Sequence, residues 1–179
     1  LPLVLGGAEV KMWDIAALYQ GLGNFGRFSE LHVTQKQADL FAADNSQQLI
    51  SPGAAYLTLD IIDDLKRPGQ DYFWRNYASQ WRIAWKTGTS YGNRDAWAVG
   101  TAPDWTITVW LGNFNGQENK ELSGLNAAAP LFFEIFNSLD KDYYQDFFAR
   151  PENSLEEIKV SAQTGYRLGQ QIIDQGLAD

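Results

Sequence analysis

Trp85-Lys86-Thr87-Gly88-Thr89-Ser90 ends an apolar, aromatic segment and runs into a polar turn. As a strand it would carry the Lys86 cation on one face and the Thr87 and Thr89 hydroxyls on the other. Gly88 would leave room for a ligand against the backbone, where a Cβ would block approach. A Lys-Thr-Gly tripeptide alone turns up by chance in roughly one chain in twenty of this length, and its plain reading is a solvated lysine at a strand end. The surroundings therefore decide. Segments 81–86, 95–100 and 105–111 are rich in Trp, Ile, Val and Thr. Gly92-Asn93 and Ala102-Pro103-Asp104 separate them, which predicts an antiparallel meander of three strands.

Helices are expected on either side of this meander. Residues 8–20 place apolar side chains at helical spacing, and Gly21 with Gly23-Asn24 stops them. Ser51 reads as an N-cap and Pro52 as the first helical position of a second helix, which Pro68-Gly69 would end. Residues 126–139 set Leu131, Phe132, Ile135, Phe136 and Leu139 to cover the sheet. Residues 28–50 read as a short two-strand excursion. In the tail, 157–160 and 166–173 read as two short strands across a Thr164-Gly165 turn.

Composition narrows the functional classes. The 179 residues are 45% hydrophobic and 14% aromatic, enough for one domain with a real core. Net charge is −8 without a basic run, which argues against nucleic acid as a partner. There is no cysteine, so thiol nucleophiles and thiolate metal sites are excluded. The single histidine, His32, is expected to be an ordinary surface or half-buried residue in a strand. No apolar run reaches the roughly 20 residues that cross a bilayer. Leu1-Pro2 reads as interior sequence, so a longer parent protein is expected.

Taken in order, the motifs resemble the transpeptidase domain of the class A penicillin-binding proteins, the bifunctional peptidoglycan synthases. The resemblance rests on Gly6-Gly7-Ala8-Glu9-Val10, Ala16-Ala17-Leu18-Tyr19, Gly23-Asn24-Phe25-Gly26 and Ser51-Pro52-Gly53-Ala54-Ala55-Tyr56. It continues through the Lys-Thr-Gly strand, Arg94-Asp95-Ala96-Trp97-Ala98-Val99-Gly100 and Trp105-Thr106-Ile107-Thr108-Val109-Trp110-Leu111-Gly112-Asn113. Phe25 departs from the pattern, standing where a glycine is usual. The wording of the segments suggests the 1C subgroup. The resemblance implies an α+β, penicillin-binding/β-lactamase-like transpeptidase fold, incomplete here, with an antiparallel sheet of three identifiable strands covered by helices. Residues 1–150 would be the C-terminal portion of that domain, and 151–179 a tail leading towards a missing C-terminal module.

The resemblance also assigns roles. Lys86 and Thr89 would be catalytic, Lys86 supplying positive charge and the Thr89 N–H half of the oxyanion hole. Thr87, Gly88 and Thr89 would bind substrate, the two hydroxyls holding the carboxylate of a D-Ala-D-Ala stem peptide or a β-lactam. No cofactor or metal is implied. The family sets Ser-x-x-Lys and Ser-x-Asn before Lys-Thr-Gly. Here Ser138-Leu139-Asp140-Lys141 comes after it and reads as a chance match, and no Ser-x-Asn exists. Tyr91-Gly92-Asn93 fits a hairpin turn better than a Ser-x-Asn substitute. Arg94 and Asp95 read as structural rather than catalytic, and the tryptophans as cross-strand packing rather than a glycan platform.

The expectation is one wall of a serine acyltransferase site, inactive alone, with the nucleophile in a missing N-terminal half or a second chain. The parent would sit on the periplasmic face of the bacterial inner membrane and carry an upstream glycosyltransferase domain. The alternatives are a non-catalytic binding or scaffold module on the same fold, or a β-lactamase-like hydrolase using Ser138. With three of the family's five strands identifiable, 105–111 is expected to pair its open edge with the tail, another copy or a companion fragment.

Overall fold

The computed structural model describes residues 7–40, 45–63, 81–139 and 147–167. Its centre is the expected meander: β3 (Ala84–Thr89), β4 (Asp95–Thr101) and β5 (Thr106–Gly112) form an antiparallel sheet in the order β3-β4-β5. The first strand is displaced from 81–86 and runs through the Lys-Thr-Gly motif itself. Pairing explains the shift, because Lys86, Thr87, Gly88 and Thr89 lie opposite Val99, Ala98, Trp97 and Ala96. The β3–β4 turn closes with Ser90 N donating to Asp95 O at 3.0 Å and Asp95 N donating to Ser90 Oγ at 2.8 Å. Gly92 (φ 76°) and Asn93 (φ 53°) take the left-handed conformations the turn needs. Pro103-Asp104 makes a tighter second turn, with Ala102 N donating to Trp105 O at 2.8 Å.

Strand alternation divides the side chains between two cores. One face turns Trp85, Ala96, Ala98 and Val109 towards Phe132 and Phe136 of α4 (Ala129–Ser138), all buried. Phe132 lies 6.2 Å from Trp85, 5.1 Å from Phe133 and 5.0 Å from Phe136 between ring centroids. The helix expected at 126–139 begins as a π-helical turn, Gly124–Ala128, where Ser123 Oγ accepts from Asn126 N at 3.1 Å. The other face packs Ala84 against Leu22 of α1 (Met12–Gly23), Ala55 and Leu59 of α3 (Pro52–Asp63), and Phe148. α1 starts later and ends later than the expected 8–20. It is closed by Asn24 N donating to Gln20 O and Gly26 N donating to Gly21 O. Phe25 (φ 53°) adopts a conformation that costs a non-glycine residue of the order of 1 kcal/mol. Its ring meets Phe148 edge-on at 6.1 Å.

Residues 27–48 hold the two expected strands, β1 (Arg27–Phe28) and β2 (Gln47–Gln48), paired antiparallel. They also hold a helix that was not expected, α2 (Gln35–Leu40). Its start is a reciprocal cap: Gln37 N donates to Thr34 Oγ1 and Val33 N donates to Gln37 Oε1. His32 is exposed and lies outside the strands. Ser51 caps α3, accepting from Ala54 N at 3.3 Å, while Pro68-Gly69 lies outside the described residues. Arg82 Nε reaches the fully buried Asp63 carboxylate at 2.6 Å and its guanidinium stacks 3.9 Å above Phe147. That pair joins the end of α3 to the entry of β3.

The 3₁₀ turn Glu152–Ser154 packs on the N-terminus of α3, where Gly53 N donates to Ser154 Oγ at 3.0 Å. Beyond it the two expected tail strands reduce to one antiparallel bridge, Val160 to Arg167, across a turn with Gly165 at φ 74°. Residues 157–159 belong to no strand, and 168–173 lie outside the described residues. Among the described residues nothing but β4 pairs with β5, and no helix is long and apolar enough to cross a membrane.

Candidate functional site

Antiparallel pairing fixes which backbone groups of β3 are free. Ser90 and Asp95 exchange hydrogen bonds directly, and alternation then turns the N–H and C=O of Lys86 and Gly88 towards β4. Those of Trp85, Thr87 and Thr89 point the other way. No strand covers that side among the described residues, so β3 is a sheet edge offering backbone donors and acceptors.

The side chains of the motif divide between the two faces of this edge strand. Lys86 is exposed, and its ammonium donates to Thr87 O at 2.9 Å, which brings a positive charge onto the outward carbonyl. Beside Gly88 on the Lys86 face there is open space: a Cβ built there would touch only Trp97 Cβ, at 3.6 Å. Thr87 and Thr89 lie on the opposite face, over the π-helical turn. Thr89 Oγ1 accepts from Gly124 N at 2.9 Å. The arrangement sets a cation, outward N–H groups and a hydroxyl along one short stretch. Such an edge can take up an extended, anionic ligand by strand-like hydrogen bonds and hold its charge.

The other sequence candidates have structural partners. Arg94 pairs with Glu118 at 3.0 Å between two exposed side chains. Asp95 Oδ1 accepts from Trp110 Nε1 at 2.9 Å, which fixes the indole beside Trp97 at a centroid distance of 6.3 Å. Trp85 is buried in the core. Asn93 of the Tyr-Gly-Asn triplet donates from Nδ2 to Leu122 O at 2.7 Å. Ser138 Oγ donates to Ile135 O at 2.7 Å, a helix-end bond, and Lys141 lies outside the described residues. Sequence reasoning missed Gly124, whose N–H meets Thr89. The available signal was Ser123 alone, an N-cap residue that marks a helical start at Gly124 without revealing the contact to Thr89.

No family model matches the chain. Curated proteins do. The chain is 35% identical over 139 residues to penicillin-binding protein 1C of Escherichia coli (strain K12), covering 78% of this chain and 17% of the relative. It is 30% identical over 141 residues to penicillin-binding protein 1B of Haemophilus influenzae, covering 75% and 18%. It is 34% identical over 125 residues to penicillin-binding protein 1A of Neisseria gonorrhoeae, covering 63% and 15%. The chain thus spans less than a fifth of these relatives. Among solved structures, penicillin-binding protein 1A from Haemophilus influenzae superposes with a TM-score of 0.69 at 18% identity, over 94% of this chain and 32% of that one. The fold is therefore that of the penicillin-binding transpeptidases.

Proposed function

We propose, because the chain is a homologue of the class A penicillin-binding proteins, that it forms the substrate-holding wall of a peptidoglycan D,D-transpeptidase. One observation supports the reading: β3 is a free edge with the Thr89 N–H turned outward, the Lys86 ammonium on the outward Thr87 carbonyl and the Thr89 hydroxyl on the other face against Gly124 N. A serine outside this chain, in the remainder of the domain or in a second chain, attacks the penultimate D-Ala carbonyl of a stem peptide. The Ser Oγ–C bond forms, and the Thr89 N–H donates to the oxyanion of the tetrahedral intermediate. That intermediate collapses by breaking the peptide C–N bond, and the terminal D-Ala amine leaves with a proton. The amine of a neighbouring stem then attacks the acyl-enzyme carbonyl, the new C–N bond forms as the C–Oγ ester bond breaks, and the proton lost by the amine restores the serine hydroxyl.

In this reading Lys86 draws the substrate carboxylate to the edge and holds positive charge near the nucleophile. Gly88 lets the stem lie against the backbone, and Thr87 and Thr89 hold the carboxylate. A β-lactam presents the same carboxylate and an acylating carbonyl, so it would be accepted in the stem's place. The parent protein would act at the periplasmic face of the inner membrane and carry a glycosyltransferase domain upstream. The hydrogen bond from Ser138 to Ile135 O disfavours the alternative of a stand-alone hydrolase.

Intact-mass spectrometry after incubation with benzylpenicillin tests the reading. The full-length gene product should gain one penicilloyl group outside residues 1–179, and Lys86→Ala should slow its appearance at least about tenfold. An adduct within residues 1–179, or an unaffected Lys86→Ala rate, would overturn it.

A further inference from the structure

A hydroxyl offers one proton and two lone pairs, so what it gives a ligand depends on what it already accepts. At Thr89 a backbone N–H takes one of those lone pairs, Gly124 N lying 2.9 Å from Oγ1. That bond fixes the rotor so that the hydroxyl proton points away from Gly124 and is left to be donated, which suits an anionic ligand.

This contact needs residue 124 to approach the sheet very closely. A Cβ on Gly124 would lie 2.5 Å from Gly88 O, 2.7 Å from Trp97 O and 2.9 Å from Thr87 Cβ. Two of the three are backbone oxygens of paired strands, which do not swing aside as a side chain would. Only glycine fits there.

The approach is held from the β3–β4 turn. Asn93, in the left-handed region that asparagine tolerates, donates from Nδ2 to Leu122 O at 2.7 Å. Asn119 N donates back to Asn93 O at 3.3 Å, and Leu122 N donates to Asn119 O at 2.9 Å. Ser123 then caps the π-helical turn. The Arg94–Glu118 pair adds little, both side chains being exposed. Turn and loop therefore form one clamp, whose far end is the Gly124 N–H.

We propose that Asn93 and Gly124 are positioning residues that hold the Thr89 hydroxyl as a donor for a ligand carboxylate. The inference rests on the proposed function and extends it to residues that touch no substrate. The Tyr91-Gly92-Asn93 triplet thereby gains a role beyond its turn, because its asparagine acts through the loop.

The test compares acylation of the full-length gene product by benzylpenicillin and by benzylpenicillin methyl ester, which lacks the anion. The readout is the ratio of the two second-order rate constants. Thr89→Val should lower that ratio about tenfold or more, the scale of one charge-assisted hydrogen bond. Asn93→Gly keeps the backbone conformation but removes the clamp's donor, and should lower the ratio about threefold to tenfold. Gly124→Ala should lower it at least as far, and Asn93→Gly carries the test if that variant fails to fold. A merely structural role would slow both reagents equally and leave the ratio unchanged.

An unchanged ratio in Asn93→Gly beside a lowered one in Thr89→Val overturns the positioning inference while sparing the proposed function. An unchanged ratio in Thr89→Val removes the carboxylate role of Thr89, and the inference with it. No acylation of the unaltered protein by either reagent overturns the proposed function itself.

Discussion

Phe132→Ala should be among the most damaging single substitutions in α4, and Leu131→Ala, one residue earlier, among the mildest. Phe132 is fully buried, whereas Leu131 is 39% exposed. A buried aromatic side chain removes about 200 Å² from water, and about 25 cal/mol per Å² makes that about 5 kcal/mol. Alanine keeps part of this area, which brings the loss to about 4 kcal/mol, inside the usual range for such cavities. Little collapse is expected, because rigid rings bound the site: Trp85 at 6.2 Å, Phe133 at 5.1 Å and Phe136 at 5.0 Å. Leu131→Ala should cost less than about 1 kcal/mol. Urea unfolding followed by tryptophan fluorescence would report the difference, with the denaturant slope checked for constancy. For a chain of this size about 4 kcal/mol corresponds to a fall in Tm of about 8–16 °C. Equal losses in the two variants would refute the assigned packing. Under the proposed function, slack beneath Trp85, which directly precedes Lys86, should also slow penicillin acylation of the full-length protein.

Three further outcomes are expected. Burial raises the Tyr19 pKa from 10.0 to about 12. The folded state therefore keeps a proton that the unfolded state loses, and stability should fall between about pH 10 and 12 by about 2–3 kcal/mol. Tyr19→Phe should flatten that part of a stability–pH curve, and an unchanged slope would contradict the assignment. Arg82→Ala strips a partner from the buried Asp63 carboxylate. It should cost about 2 kcal/mol in urea unfolding, less than for a fully buried pair because Arg82 is 38% exposed. Asp95→Ala should free the Trp110 indole and shift its fluorescence to longer wavelength, while Asp95→Asn, which keeps an acceptor, should leave the emission near its original position.

Much of this architecture was legible in the residues. Three β-rich segments parted by Gly92-Asn93 and Pro103-Asp104 gave the meander, and the apolar spacing of 131–139 gave the helix that covers it. The motif's own strand was misjudged by three residues because Thr87, Gly88 and Thr89 look like a turn. They are held extended by pairing with Ala98, Trp97 and Ala96, which no local preference reveals. α2 was overlooked because its residues are polar, although Thr34 and Gln37 carry a capping signature. At the candidate site, Lys86 to Thr89 are proposed from the motif together with its flanking strands. Gly124 is not, since its partner is 35 positions away and glycine shows no outward sign of what it must fit beneath.

The cap on α3 also sets a clock. Gly53 waits for Ser154, 101 positions further along, before its N–H is satisfied. At ribosomal speeds of about 5–20 residues per second, about 5–20 s separate the two during synthesis. For that interval the nascent helix end must be covered by water or a chaperone. The docking of residues 152–154 is thus a late event, and truncation shortly before Ser154 should leave a chain whose early helices were made on time but never sealed.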